Sequence, residues 1–435
     1  MLRAFAGSLC LALACLTGLP TAWAQSGLLV SEASARRLGL TRAWYAQIER
    51  DVEFVTYHDG MLFVQNNQAV VYALDAETGR IVWSAICGNA RYPSTAAAAN
   101  ANYVAALNGS TLYVLDRKDG RPVWQRQLVG SPGAGAAMSK THAFIPMVNG
   151  IVQAYDLKNS KEVPWTYRSA GRTFVQPIVT ARTVSWTTNR GYLYVGATDD
   201  LGIKFRLETT GVVESRPAYW APNFYACSHD GFVYAVNERT GQTAWRFSSG
   251  DPIMESPAAI DGKVYVTPDQ SGMYCLDGIT GRDLWFTPGI ARFAAASGSR
   301  VYAYDQIRRL VSLDAKTGAV LGVLSVPGPW LKLMNTDTDR VYMASTTGTL
   351  QCLHESELKV PVKHIPNPVP VKTKKETKQV GIDEAPGENK PEMPADKPAG
   401  ENPFEDMKKD APPAENPFGD GEMKKETKPA DNPFG

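Results

Sequence analysis

One thirteen-residue pattern returns along this chain at nearly constant intervals. Residues 71–83 read VYALDAETGRIVW. An apolar strand comes first, then Asp75, Thr78 and Gly79, then a second strand ending in Trp83. Asp bonds its own backbone in turns, and Gly tolerates positive φ, so the unit reads as a hairpin with an aromatic anchor. It recurs as LYVLDRKDGRPVW at 112–124, VYAVNERTGQTAW at 233–245 and MYCLDGITGRDLW at 273–285. Residues 152–165 (VQAYDLKNSKEVPW) add one residue in the turn, and 310–322 (LVSLDAKTGAVLG) keep the turn but lose the Trp. The repeat residues are thus Asp75, Asp116, Asp156, Asp277 and Asp314, then Gly79, Gly120, Gly241, Gly281 and Gly318, then Trp83, Trp124, Trp165, Trp245 and Trp285.

The turn acids set the period. Asp75 and Asp116 differ by 41 in number, Asp116 and Asp156 by 40, and Asp277 and Asp314 by 37. Asp156 and Asn237 differ by 81, two periods, and the gap holds a degraded copy at 191–207 with Phe205 near the Trp position. A strand-rich repeat of this length predicts an all-β propeller rather than a helical solenoid. Two further strands precede each hairpin, as at 54–57 and 61–64, so each unit supplies a four-stranded blade. The last unit stops at its third strand, LQCLH at 350–354. Residues 39–48 resemble the missing Trp-bearing strand, and Trp44 lies one period before Trp83. The expectation is eight blades closed by this N-terminal strand, or seven if 191–207 forms no blade. Closure removes an edge that would otherwise invite aggregation.

These copies, with turn, Gly and Trp in register, resemble the PQQ-like (pyrrolo-quinoline quinone) repeat family of β-propellers. The resemblance covers residues 39–354. The family's quinoprotein dehydrogenases hold pyrroloquinoline quinone and calcium in the channel, and its BamB-type branch consists of non-enzymatic eight-bladed scaffolds. This chain is similar to the second branch. It has no adjacent cysteine pair of the kind the dehydrogenases set against their quinone, and its units leave little room for cofactor loops. The resemblance implies no cofactor and no catalytic residue. A shared fold does not carry function by itself, so a quinone-dependent dehydrogenase, a small-ligand sensor and a cell-wall or polymer-binding propeller remain alternatives.

Residues 1–24 read as a secretory signal: Arg3, an apolar run over 9–19, and Ala22-Trp23-Ala24 before a mature start at Gln25. The run is shorter than the roughly 20 residues that span a bilayer. A lipoprotein signal at Cys15 is the alternative, although Ala12 stands where Leu is usual. Export to the periplasm or cell envelope follows, with no transmembrane segment after cleavage. Cys87, Cys227, Cys275 and Cys352 lie far apart without CxxC spacing, and read as small buried residues before a disulfide pair. The five histidines are scattered, which argues against a metal site. A net charge of +1 gives no footprint for nucleic acid. Arg91, Tyr92, Arg172, Arg216, Glu255, Arg292 and Trp330 fall near where first strands begin, the expected mouth of the channel.

The propeller is expected over 25–358 and a tail of another kind over 359–435. Residues 360–435 hold 14 of the 29 Pro, 12 Lys, no Arg and 15 acids, a composition that predicts disorder. Asn-Pro-Phe occurs three times, and Phe404, Phe418 and Phe434 are the segment's only aromatics. Isolated aromatic anchors on a charged linker suit multivalent partner binding; duplication by replication slippage is the alternative. The reading is a monomeric interaction scaffold whose partners are envelope proteins, held by blade edges, loops or the tail.

Overall fold

The structure, a computed structural model, describes residues 29–365 other than 50, 329 and 332. Residues 1–24, read above as a signal, and Phe404, Phe418 and Phe434 lie outside the described residues. Among those described, thirty-two strands form eight antiparallel sheets of four. In seven blades the strands pair in chain order, as in Val52–His58, Met61–Asn66, Val70–Asp75 and Ile81–Ile86 of blade 1. Residues 191–207 belong to a complete blade 4, of Ile178–Val179, Thr183–Thr188, Tyr192–Ala197 and Ile203–Glu208, so the count is eight. Blade 8 takes Trp330–Leu331, Val341–Ser345 and Thr349–Glu355 from the C-terminal side, and its outer strand is Leu40–Gln47. Trp44 faces Cys352 there as Trp83 faces Ala73 in blade 1.

Burial explains the strand sequences. Asn223–Cys227 is buried at every position, because the second strand is packed between two neighbouring blades. Thr243–Ser248, the outer strand of the same blade, is half-buried only at every other residue beyond its start.

The repeated turn works as its residues suggest. The Asp277 carboxylate accepts from the Ile279 and Thr280 backbone amides at 3.1 and 2.8 Å and from the Thr280 hydroxyl at 2.8 Å. Asn237 makes the equivalent contacts in blade 5. The Trp does more than anchor its own hairpin. Its indole N–H donates to a carbonyl in the turn of the next blade: Trp44 to Ala76 (2.9 Å), Trp83 to Arg117 (2.8 Å), Trp124 to Leu157 (2.8 Å), Trp245 to Gly278 (3.0 Å) and Trp285 to Ala315 (3.2 Å). The ring lies on the next blade's Gly. A Cβ at Gly281 would sit 2.5 Å from Trp245 Cδ2, and Trp44, Trp83 and Trp285 cover Gly79, Gly120 and Gly318 alike. Phe205 covers Gly241, which is how the degraded copy keeps its place in the ring. Blade 3 departs from the pattern. Trp165 packs tilted against His142 of its own blade, ring centroids 4.0 Å apart, and Tyr167 instead donates to the blade 4 turn at Ala197 O (3.0 Å).

Blade 8 has no turn between its third and outer strands, because those strands come from opposite ends of the chain. A Trp on blade 7 would have no turn to dock on, and Gly322 stands in its position. Leu38 fills the space, 2.5 Å from where a Gly322 Cβ would project. It follows the short helix Glu32–Arg37, whose Ser31 cap accepts from Ser34 N (3.2 Å) and whose basic residues sit in the last turn. Buried Gln351 fixes this segment by accepting from Val30 N (3.0 Å) and donating to Val30 O (2.7 Å).

Candidate functional site

Each blade runs up and down in turn, so the turns after its first and third strands share one face, here called upper. The first strands surround the axis. In the upper half of the channel they enclose a cavity of about 450 Å³. Small side chains make the room: Ala97 and Ala99 on blade 2 and Ala137 on blade 3. Bulkier groups face them, including Tyr57 on blade 1, Arg216 and Trp220 on blade 5, and Met334 and Asp337 on blade 8.

The two charged groups among these are poorly partnered. Arg216 has its backbone N–H on Ser256 Oγ (3.0 Å), but its guanidinium makes one long bond, from Nη2 to Pro177 O at 3.4 Å. Arg216 Nε is buried with no partner among the described residues. Burial pushes the guanidinium below its usual pKa. Asp337 uses its backbone, donating to Asn335 Oδ1 (3.1 Å) and accepting from His364 N (2.9 Å). Its side chain reaches channel solvent but has protein walls around it, and that desolvation raises its pKa, against the pull of Arg216 and His364.

The upper mouth is crossed by residues 356–365, which follow the last strand. Arg340, 1% exposed, holds this strap by donating to Leu358 O and Lys359 O, both at 3.0 Å. It also pairs with Asp339 of its own blade and with Glu77 of blade 1, each at 3.2 Å. Lys363 pairs with Asp59 at 3.2 Å. The His364 ring, fully buried, lies between Asp261 Oδ2 (3.0 Å) and Ala296 O (2.9 Å), joining blades 6 and 7.

The residues expected at the channel mouth scatter. Arg216 lines the cavity. Tyr92 lines a separate cleft of about 730 Å³ on the lower face, with Asn89, Asn108 and Gln127. Arg292 is neutralised by Glu255, and Trp330 packs tilted against Tyr304 with ring centroids 4.3 Å apart. Arg91 and Arg172 are exposed and do not line the cavity. All four described cysteines are buried free thiols, and burial pushes Cys87 and Cys275 up to about 12. Sequence reasoning passed over Asp337, Arg340 and His364. The composition change near 360 hides His364 and Lys363 in what reads as tail. The one available signal was the length of the blade 8 turn, where 335–340 stand in place of the Asp59-Gly60 pair of blade 1.

The sequence pattern of one family, described as outer membrane protein assembly factor BamB, matches residues 24–219 and 229–362. The chain belongs to this BamB family. BamB of Yersinia pestis is 23% identical over 277 residues, which are 60% of this chain and 63% of that protein. Quinohemoprotein alcohol dehydrogenase ADH-IIG of Pseudomonas putida is 24% identical over 301 residues, 58% of this chain but only 42% of the enzyme. The chain thus spans less than two thirds of either relative. The crystal structure of BamB from Moraxella catarrhalis superposes with a TM-score of 0.60 at 16% identity, covering 72% of this chain and 99% of that one, a likeness of fold.

The dehydrogenase likeness raises the question of a quinone with calcium. Calcium takes roughly 6–8 oxygen ligands. Among the described residues no group of three or more His, Cys, Asp or Glu is placed to hold a metal ion, and Asp337 is the one carboxylate lining the cavity. No cysteine neighbours another in the sequence. These residues do not fit that cofactor pair.

Proposed function

We propose that this BamB-family chain is a non-enzymatic interaction scaffold of the cell envelope that serves the assembly of outer-membrane proteins. The observation that supports it most is the family match, which runs through all eight blades. The blades follow one another at an almost constant interval, so the protein presents turns and outer strands rather than inserted catalytic loops. Partners are envelope proteins, held by blade edges, by loops or by the tail with Phe404, Phe418 and Phe434. The protein acts as a monomer, exported by residues 1–24, in the periplasm or at the outer membrane. No helix among the described residues is long and apolar enough to cross a membrane.

The test is deletion of the gene in its source organism. Outer-membrane β-barrel proteins should fall in abundance and recover when the full chain is restored. Unchanged levels would overturn the scaffold reading. The dehydrogenase alternative rests on the P. putida relative. It predicts a higher melting temperature with pyrroloquinoline quinone and Ca²⁺, together with dye-linked alcohol oxidation; the scaffold reading predicts neither.

A further inference from the structure

The cavity in the channel holds a cation and an anion that no described residue neutralises. Arg216 makes no ion pair among the described residues, and its Nε–H has no acceptor there. The Asp337 carboxylate accepts no hydrogen bond and joins no ion pair among the described residues, and the two groups do not pair with each other. An enclosed guanidinium is costly unless something pairs it, and Arg216 is half-buried, whereas Asp337 stands unpaired but open to the channel solvent. Elsewhere the same protein pairs its enclosed charges closely: Arg340 has Asp339 and Glu77, and Arg292 has Glu255. The exception falls where the walls are built back with alanine, leaving a space within the roughly 300–1,000 Å³ of small-molecule sites.

We propose that this cavity binds a small zwitterion, a free α-amino acid or a short peptide, whose carboxylate meets Arg216 and whose ammonium meets Asp337. Arg216 Nε is sealed off by protein, so a ligand carboxylate meets the Nη end of the planar guanidinium, where Nη1 makes no bond to the described residues. Asp337 offers only acceptors, so its complement is a donor cation. The two groups come from blades 5 and 8 and stand apart, so one ligand must carry both charges with a spacer between them. Tyr57, Trp220, Met138 and Met334 offer an apolar surface for the ligand's side chain. A simple anion would leave Asp337 unmatched and add a second negative charge beside it. A simple amine would fail at Arg216 in the same way.

The full exported chain is titrated by calorimetry with the twenty common amino acids and with dialanine and trialanine. Each compound that binds is repeated as its N-acetyl derivative and as its decarboxylated amine. The expected result is saturable binding by at least one zwitterion, with both single-charge analogues weaker by about tenfold or more. Asp337→Asn and Arg216→Gln should each weaken the zwitterion by a similar factor. Asp337→Asn should restore part of the affinity for the N-acetyl compound, which a purely structural role for Asp337 would not do. The analogue series stands by itself if either variant fails to fold. The proposal is overturned if none of the probes binds at millimolar concentration, if the single-charge analogues bind as well as the parent, or if folded variants bind undiminished.

Discussion

At the scale of single residues, the repeated Gly serves two demands, a positive φ and a bare surface for the preceding blade's aromatic ring. The two can be separated. Gly281 and Gly262 have φ of +73° and +76°, but a Cβ would strike Trp245 at Gly281 and meet nothing within 4 Å at Gly262. Gly281→Ala should therefore cost about 2–4 kcal/mol, left-handed strain plus overpacking, against about 1 kcal/mol for Gly262→Ala; urea titrations of both variants measure the difference. The turn acids carry a pH dependence. Hydrogen bonds from Thr280 and Thr317 hold Asp277 and Asp314 below the ordinary carboxylate range. A depressed folded-state pKa contributes stability that is present above the unfolded value, about 3.8, and is lost as pH falls through the folded value. Asn already fills this role at 237, so Asp277→Asn with Asp314→Asn should keep the turns and flatten the acid limb of a melting-temperature profile. Asp337 has the opposite sign. Its raised pKa means the charged form weighs against folding above that value, so Asp337→Asn should melt higher than the parent at pH 7 and no higher below the unfolded carboxylate value.

At the scale of the element, the aromatic of one outer strand docks on the turn of the next blade, and this rule accounts for the exception in unit 7. Gly322 precedes the one blade without a turn, and Leu38 with the helix Glu32–Arg37 fills the gap. Restoring the repeat's own residue by Gly322→Trp should thus lower stability, by about 2 kcal/mol of overpacking. Leu38→Ala should recover part of that loss in the double variant, which a double-mutant cycle would show. The pattern of these elements is legible in the chain itself: hairpin turns at Asp-x-x-Thr-Gly, strands of alternating or continuous apolar residues, and Trp44 as a displaced fourth strand. The direction in which each Trp leans is not. A hairpin pattern reports contacts within a unit, whereas docking on the neighbouring blade depends on how blades twist past one another. Tyr167 replacing Trp165 at the blade 4 turn is that kind of detail, since an extra turn residue changes which side chain reaches the neighbour.

At the scale of the whole molecule, stability depends on closing the ring. Trp44 is 7% exposed and reaches from blade 8 to the blade 1 turn. Trp44→Ala should cost about 3–5 kcal/mol as a large buried truncation at the closure, measured by chemical denaturation against Trp124→Ala, whose ring is less buried. The sequence alone determined the class of fold, the order of the strands and the joining of the two ends, while the choice between eight blades and seven came from the complete blade 4 of the structure. The first three follow from a nearly constant repeat period and from the missing strand in its last copy. Local chemistry repeated eight times leaves little else for the chain to do. Tertiary structure decided the site. Arg216 and Asp337 lie 121 positions apart in the sequence, Arg340 meets Glu77 across 263, and Val30 meets Gln351 across 321. No periodicity announces such pairs, because it reports contacts within a unit, and these meet only where the closed ring brings distant parts of the chain together. The recurring pattern built the wall of the channel, and the residues that break the pattern line it.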